Sequence, residues 1–386
     1  MSQVNKILVI KGKSQYGQMR CAMDEMIKGF LSKGCLVTIL DLIHDEDEHI
    51  RLKLDFAKDY DLIFSMNLVG IDLYRDSICA EKAIFWSFLE DHPYHHHSRI
   101  SMAEGKVLLS CCDRHHVMYI EKNYPHIPWT CFMPHGGIVG EAENKPFSER
   151  KYDVVFIGSL GKEDDILSAV NMLKNKYGSE IDSLIETILC NESLDIEDYI
   201  EQLIVQNDDL KNRSVYADVM SDFSVLDIYR RFLKRKKLLD TLADNGISVS
   251  IFGNGWDGLS DKTKSVHTLM GSIDHDKIGR IMGDSRYVLN DMPFFHDGTH
   301  DRVFAAMQCG AVCVTDSSSL FDELYMNMNE VVFYDTDRLD QLTHILKELF
   351  DNEDQAKEIA MQGFKAAREQ TWKNRAKDIV EIAEGL

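Results

Sequence analysis

Between Tyr287 and Asp316 the sequence reads YVLNDMPFFHDGTHDRVFAAMQCGAVCVTD, and several of its residue types are suited to holding a phosphate. An apolar strand-like run ends at Asn290. A loop carrying Gly298 and Thr299 follows, and a helical pattern begins near His300 or Asp301 with Arg302 in its first turn. The amino end of a helix offers backbone N–H groups and partial positive charge, and glycine lets a backbone approach a ligand closely. An arginine able to fork two phosphate oxygens completes a pyrophosphate site. The same pattern also suits a plain helix start, with Thr299 or Asp301 as cap and Arg302 in solvent. The helix from Val303 to Cys309 is nearly all apolar and stops at Gly310, so it must be buried, and its start then faces a cleft.

Three more segments can contribute to the same anion. Gly158 and Ser159 follow the strand-like YDVVFI, and Gly253, Asn254, Gly255 and Trp256 follow VSIF. The second turn can bring backbone or an indole to a nucleotide base. The cluster Arg230, Arg231, Lys234, Arg235, Lys236 and Lys237 stands out in an acidic chain. Most of such a cluster is a solvated helix face, but at helical spacing Arg235 or Arg231 can reach a phosphate.

Proton-transfer candidates gather in WSFLEDHPYHHHSR, residues 86–99. Asp91 or His92 is suited to act as a general base, with Glu90 as the weaker alternative. Equally, Glu90 and Asp91 can cap or solvate a loop and the histidines can lie on the surface. Tyr94, His115 after VLLSCCDR, His135 in HGG, and Tyr16 in the loop KSQYGQMR are candidates for contacting an acceptor. A zinc reading of the histidines fails on geometry, because consecutive residues of a strand or helix point apart and no cysteine accompanies them. No metal site is expected.

These residues need a frame. Apolar runs at Lys6–Ile10, Leu36–Leu40, Leu62–Ser65, Ala83–Phe88 and Val107–Cys111 alternate with helical stretches, which is the pattern of a parallel sheet covered on both faces. The alternation restarts at Tyr152 and continues through Val249–Phe252, Tyr287–Asn290 and Ala311–Thr315. The expected fold is α/β, with two doubly wound Rossmann-like domains facing each other across a cleft. The expected division is 1–145, 146–370 with a helical insertion near 163–225, and a last helix at 371–386 that can pack back on the first domain. A linker is placed at Gly140–Lys151.

The chain has 386 residues, enough for two cores, and a formal charge of -21, which argues against nucleic acid or an anionic membrane as a partner. Nine irregularly spaced cysteines read as reduced and mostly buried. No signal peptide and no apolar stretch of about 20 residues are found, so a cytoplasmic protein with no integral membrane segment is expected.

The order YDVVFIGS, basic helix, VSIFGNGW, GSI at Gly271, VLN, G-x-H-x-R, CGAV and TWKNRA, from Tyr152 to Ala376, resembles the C-terminal domain of the GT-B glycosyltransferases, in particular the spore-maturation-type branch. The resemblance implies a donor nucleoside-diphosphate sugar, UDP-linked by first choice, held by the C-terminal domain without a divalent metal or other cofactor. It also implies an acceptor at the N-terminal domain, namely a glycan, lipid-linked glycan or protein in bacterial surface or flagellar glycan synthesis. Many retaining enzymes of this fold carry two glutamates here. This chain has Asp297 near the first position and Ala305 at the second, which points to inversion. Two alternatives are an epimerase or hydrolase on the same fold and a non-catalytic nucleotide-sugar-binding protein.

Overall fold

The computed structural model describes residues 3–46, 50, 60–77, 82–137, 145–178, 181–190, 196–197, 200–201 and 213–386. Part of the expected linker, 140–144, and parts of the expected insertion lie outside the described residues.

Two six-stranded sheets form the frame, and every strand pairing in them is parallel. The first contains β1 (Lys6–Lys11), β2 (Leu36–Asp41), β3 (Leu62–Met66), β4 (Ile84–Leu89), β5 (Val107–Cys111) and β6 (Trp129–Phe132), in the order β2-β1-β3-β4-β5-β6. The second contains β7 (Tyr152–Ile157), β8 (Ser250–Phe252), β9 (Thr268–Gly271), β10 (Ser285–Leu289), β11 (Val312–Asp316) and β12 (Val332–Tyr334), in the order β12-β11-β10-β7-β8-β9. Strands β3 and β5 are buried at every position, which follows from their mostly apolar sequences, each with one small serine. In each sheet the strand order reverses beside the first strand, and open α/β sheets bind ligands at such switch points, beyond the carboxyl ends of the strands.

Seven helices matter to the site: α1 (Gln18–Ser32), α2 (Arg114–Asn123), α3 (Glu163–Tyr177), α4 (Arg213–Asp244), α5 (Asp301–Gln308), α6 (Glu353–Ala367) and α7 (Trp372–Gly385). Helix α7 starts afresh after α6, because the Thr371 side chain accepts from the Asn374 N–H and caps it. Helix α7 lies on α1, and Trp372, Ala376, Ile379 and Val380 share a core with Ile7, Met26, Phe30 and Phe88 of the first domain.

The insertion packs where sequence position alone would not place it. Val170 and Leu173 of α3, with Tyr216, Phe223 and Leu226 of α4, join the core formed by Tyr94, Ile100, Tyr119 and Tyr124 of the first domain. Farther along α4, Phe232, Leu238, Leu239 and Leu242 join the core of the second domain. One continuous helix of 32 residues, about 48 Å long, is therefore anchored in both domains.

Candidate active site

The carboxyl ends of the two sheets face each other across a cavity of about 460 Å³. The loop after β1 brings Tyr16 and Gln18 to it, and the loop after β4 brings Glu90 and Asp91. The turn after β7 brings Gly158 and Ser159, the turn after β8 brings Gly253, and the start of α5 brings His300, Asp301 and Arg302. The middle of α4 runs past with Ile228, Arg231, Phe232 and Arg235, and His135 also lines the space.

On the side of the second domain the wall is cationic. Asp291, directly after β10 and fully buried, holds two guanidiniums: its Oδ2 accepts from Arg235 Nε at 2.8 Å, and its Oδ1 lies 3.7 Å from Arg302 Nη1. Burial opposes ionisation of Asp291, but Arg235 and Arg302 outweigh it and hold the carboxyl well below the usual range. Arg235 also donates to the Ser159 carbonyl and Arg302 to the Ile157 carbonyl, so both arginines frame the turn after β7. A β-carbon at Gly158 would stand 3.2 Å from Arg302 Nη1 and 3.6 Å from Arg235 Cζ. Gly253 has φ 142°, and a β-carbon there would meet the Gly158 carbonyl oxygen at 2.0 Å, so glycine is required for the two turns to lie together.

Toward the first domain the wall is made of acids and neutral imidazoles. The Gln18 amide Nε2 donates to Glu90 Oε1 at 2.7 Å and to Asp301 Oδ2 at 3.2 Å, joining one carboxyl group from each domain. Burial and the neighbouring Asp301 push the Glu90 carboxyl up to about 8, so it carries a proton at neutral pH. Asp91, 42% exposed, is different: burial raises it, but Arg231 at 3.8 Å, with His95 and His96, outweighs that and holds it ionised. Burial lowers His135 to about 4, and burial with Arg302 lowers His300. His300 Nδ1 accepts from the Arg302 N–H at 3.2 Å and lies 2.9 Å from Asp301 Oδ1, and its Nε2 lies 3.3 Å from Arg302 Nη2.

The expected anion seat at the start of α5 requires a correction. The helix start does face the cavity, but the Arg302 N–H donates to Asp301 Oδ1 at 2.8 Å, so a carboxylate already occupies the positive end of that helix. Cationic character in the cavity comes from the guanidiniums. His300 is thus the N-cap, with Asp301 as an acid in the first turn, while Arg302 is buried against Asp291 and the Gly158 turn and does not extend into solvent.

Of the residues singled out from sequence, Tyr16, Glu90, Asp91, His135, Gly158, Ser159, Arg231, Arg235, Gly253, His300, Asp301 and Arg302 line the cavity. The others do not. Gly298 and Thr299 form the domain junction: a β-carbon at Gly298 would meet the Cys112 carbonyl oxygen at 2.6 Å, Thr299 N–H donates to that same carbonyl, and Thr299 Oγ1 accepts from the His135 N–H. Asn290 is buried and donates to Thr315 Oγ1. Trp256 is buried edge-on to Phe156, with its indole N–H donating to the Gly158 carbonyl, so it supports the turn from behind. Asn254 donates to the Tyr16 hydroxyl, which also pairs with Ser159 Oγ across the cleft. Asp297 pairs with Arg114 at the junction, and Ala305 lies in an apolar cluster, so neither places a carboxylate in the cavity.

The histidine-rich segment serves a different purpose from that expected. His92 Nδ1 accepts from the Tyr94 N–H and its Nε2 pairs with Glu197 at 2.6 Å, while Tyr94 is buried against its ring. His95 pairs with Asp227 and His97 with Asp218. These rings fasten the helical insertion to the first domain. His115 is exposed and stacks on His296 outside the cavity. Among the described residues no group of three or more His, Cys, Asp or Glu is arranged to hold a metal ion.

Sequence reasoning gave Gln18 and Asp291 no role and read Asp301 only as a possible cap. A signal existed for Asp291: it follows a strand end directly, and two arginines aimed at one buried place need a counter-charge.

Residues 230–381 match the model of a family described as glycosyl transferase-like, a span that holds Arg231, Arg235, Asp291 and Arg302. No curated protein is detectably similar in sequence. Among solved structures, sucrose-phosphate synthase from Thermosynechococcus elongatus superposes with a TM-score of 0.56 at 10% identity, covering 99% of this chain and 98% of that one. HepE from Anabaena, in complex with UDP and glucose, superposes with a TM-score of 0.59 at 12% identity, covering 99% and 100%. AviGT4, a glycosyltransferase involved in avilamycin A biosynthesis, gives 0.54 at 11% identity, covering 99% and 98%. The fold is GT-B. At these identities the likeness concerns architecture, and within a GT-B frame the cavity lies between two Rossmann-like domains, bounded by the matched span on one side and by the loops after β1 and β4 on the other.

Proposed function

We propose that the chain is a glycosyltransferase that moves a hexosyl unit from a nucleoside diphosphate, UDP by preference, to an acceptor hydroxyl. The observation that carries this reading is the meeting of Arg235, Arg302 and the Gly158–Ser159 turn with Asp91 in one interdomain cavity. The glycosyl transferase-like family match and the UDP complex of a structural neighbour support the choice of donor.

The guanidiniums of Arg235 and Arg302, still able to donate toward the cavity, take the diphosphate oxygens, with the Ser159 turn closing over them. Asp91, ionised and open to the cavity, accepts the acceptor's proton. The acceptor oxygen bonds to the anomeric carbon as the bond from that carbon to the diphosphate oxygen breaks, an inverting displacement. Negative charge gathering on the leaving diphosphate is met by fixed guanidiniums, so the reaction is proposed to run without a divalent metal. His92, held by Tyr94 and Glu197, has no part in this step. The sequence resemblance to the spore-maturation-type branch is the ground for proposing an acceptor in surface glycan synthesis and a cytoplasmic site of action. Among the described residues no helix is long and apolar enough to cross a membrane.

Calorimetry with UDP, followed by transfer assays over a panel of nucleotide sugars and glycan acceptors, tests the reading. Binding of UDP with release of UDP from one donor is the expected result. Absence of UDP binding, or binding without turnover of any donor, overturns the transferase assignment.

A further inference from the structure

The cavity is chemically polarised, and the polarity bears on which sugar it accepts. This inference rests on the donor reading above. Successive residues at the start of α5 face opposite ways: Arg302 reaches Asp291 and the Gly158 turn, while Asp301 reaches Gln18 and Glu90. A diphosphate placed on Arg235 and Arg302 therefore has two directions in which to extend its ends. The apolar part of the lining, Phe252, Ile273 and Ile278, is suited to the flat face of a nucleobase. The direction toward the first domain holds Gln18, Glu90, His135, His300 and Asp301, all groups that hydrogen-bond. A polyhydroxyl ring belongs at the second end, because burying its hydroxyls against apolar side chains would leave them unpaired.

The second end is suited to hydroxyls and unsuited to a further anion. Asp301 is 7% exposed, and its carboxylate is fixed by His300 and Gln18 with no room to turn away. Glu90 stands on the other side of the same Gln18 amide, and the proximity of Asp301 already discourages it from ionising. Every guanidinium of the cavity wall is already shared with a carboxylate: Arg235 and Arg302 with Asp291, and Arg231 with Asp227 and Asp91. A sugar carboxylate entering here would meet one like charge and one proton-bearing acid that it would compete with for the proton, and no unshared cation. Like-charge juxtaposition in a desolvated site is a strong means of rejecting a ligand.

We infer that the sugar end of the cavity takes an uncharged hexose and rejects a hexuronic acid, with Asp301 as the residue that sets the discrimination. The probes are UDP, UDP-glucose and UDP-glucuronic acid, titrated calorimetrically into the full chain at pH 7. UDP-glucose is expected to bind at least as tightly as UDP, and UDP-glucuronic acid at least roughly tenfold more weakly than UDP-glucose. The Asp301→Asn variant, which removes the charge and keeps the shape, is expected to narrow that gap. Should the variant fail to fold, the comparison of the three ligands on the unaltered chain still decides the matter. UDP-glucuronic acid binding as tightly as UDP-glucose, while UDP itself binds, overturns this inference and leaves the donor reading standing. Failure of all three to bind overturns the donor reading and the inference together.

Discussion

Asp291 and Glu90 are both acids that follow a sheet strand, one in each domain; Glu90 lines the cavity and Asp291 stands behind the arginines that line it, yet the two hold opposite charge states. Asp291 is enclosed by two guanidiniums and stays ionised despite full burial. Glu90 faces another carboxylate through a single amide and is pushed up to about 8. The residue type contributes little to this difference. What decides it is which side chains the opposite domain, or a helix from elsewhere in the chain, places beside the carboxyl group. The pair also divides the labour of the cavity: one acid pre-arranges cations for an anion, and the other presents an O–H to a neutral partner.

The comparison can be broken most severely at Asp291. Asp291→Asn leaves Arg235 and Arg302 buried without their counter-charge, and a loss of about 3 to 5 kcal/mol in chemical denaturation is expected. Retention of full stability would mean that the guanidiniums do not depend on the carboxylate. Next in size is Arg302→Ala, which removes a charged hydrogen bond to the ligand and should weaken UDP binding by about 1.5 to 3 kcal/mol in calorimetry. Unchanged affinity would move the diphosphate elsewhere.

A third test separates the walls from the joint that sets their spacing. Gly298→Ala drives a β-carbon against the Cys112 carbonyl and should cost about 1 to 3 kcal/mol of stability, with UDP affinity in the folded protein little changed. A loss of affinity as large as that of Arg302→Ala would place Gly298 in the binding site after all.

The smallest expected effect is the opposite sign of the two acids in the pH dependence of stability. Asp291, depressed from an ordinary value of 3.8, contributes stability that is fully present above that value and is lost as pH falls through its folded pKa. Glu90, raised from 4.5 to about 8, binds its proton more tightly when folded, so stability declines as pH rises between those values and levels off above the higher one. Above about pH 7, where the depressed His135 and His300 are neutral in both states, denaturation midpoints up to pH 9 should show that decline in the unaltered protein and lose it in Glu90→Gln. An unaltered slope in the variant would assign the decline to another group.

Much of the frame was legible. The buried strands β1, β3, β5 and β7 are mostly apolar runs with few polar interruptions, and their extents were read to within a residue or two because few other structures bury such a run. The edge strands β6, β9 and β12 were missed: β6 is half-buried throughout, β9 is exposed throughout and β12 has three residues, so none of them carries a full apolar signature. The insertion was recognised as helical, but its docking on the first domain was not, since periodicity says which face is apolar and not what covers it.

The two glycine turns show the same limit within the site. Gly158–Ser159 and Gly298–Thr299 read alike, each a glycine and a hydroxyl after a strand. The first lines the cavity, while the second is pressed into the other domain. A need for glycine is visible in sequence, but whether the close neighbour is a ligand or another backbone is not.

Local composition and alternation of residues were enough to dictate two parallel sheets, a buried helix after residue 300 and a glycine-marked, arginine-bearing cleft, because these depend on neighbours within a few residues along the chain. The burial of Asp291 between two arginines, the proton on Glu90, the capture of His92 by Glu197 and the separation of Gly298 from the cavity arose only on folding. Each depends on electrostatic or steric contact between groups from 11 to 211 positions apart, and no local pattern encodes such contacts.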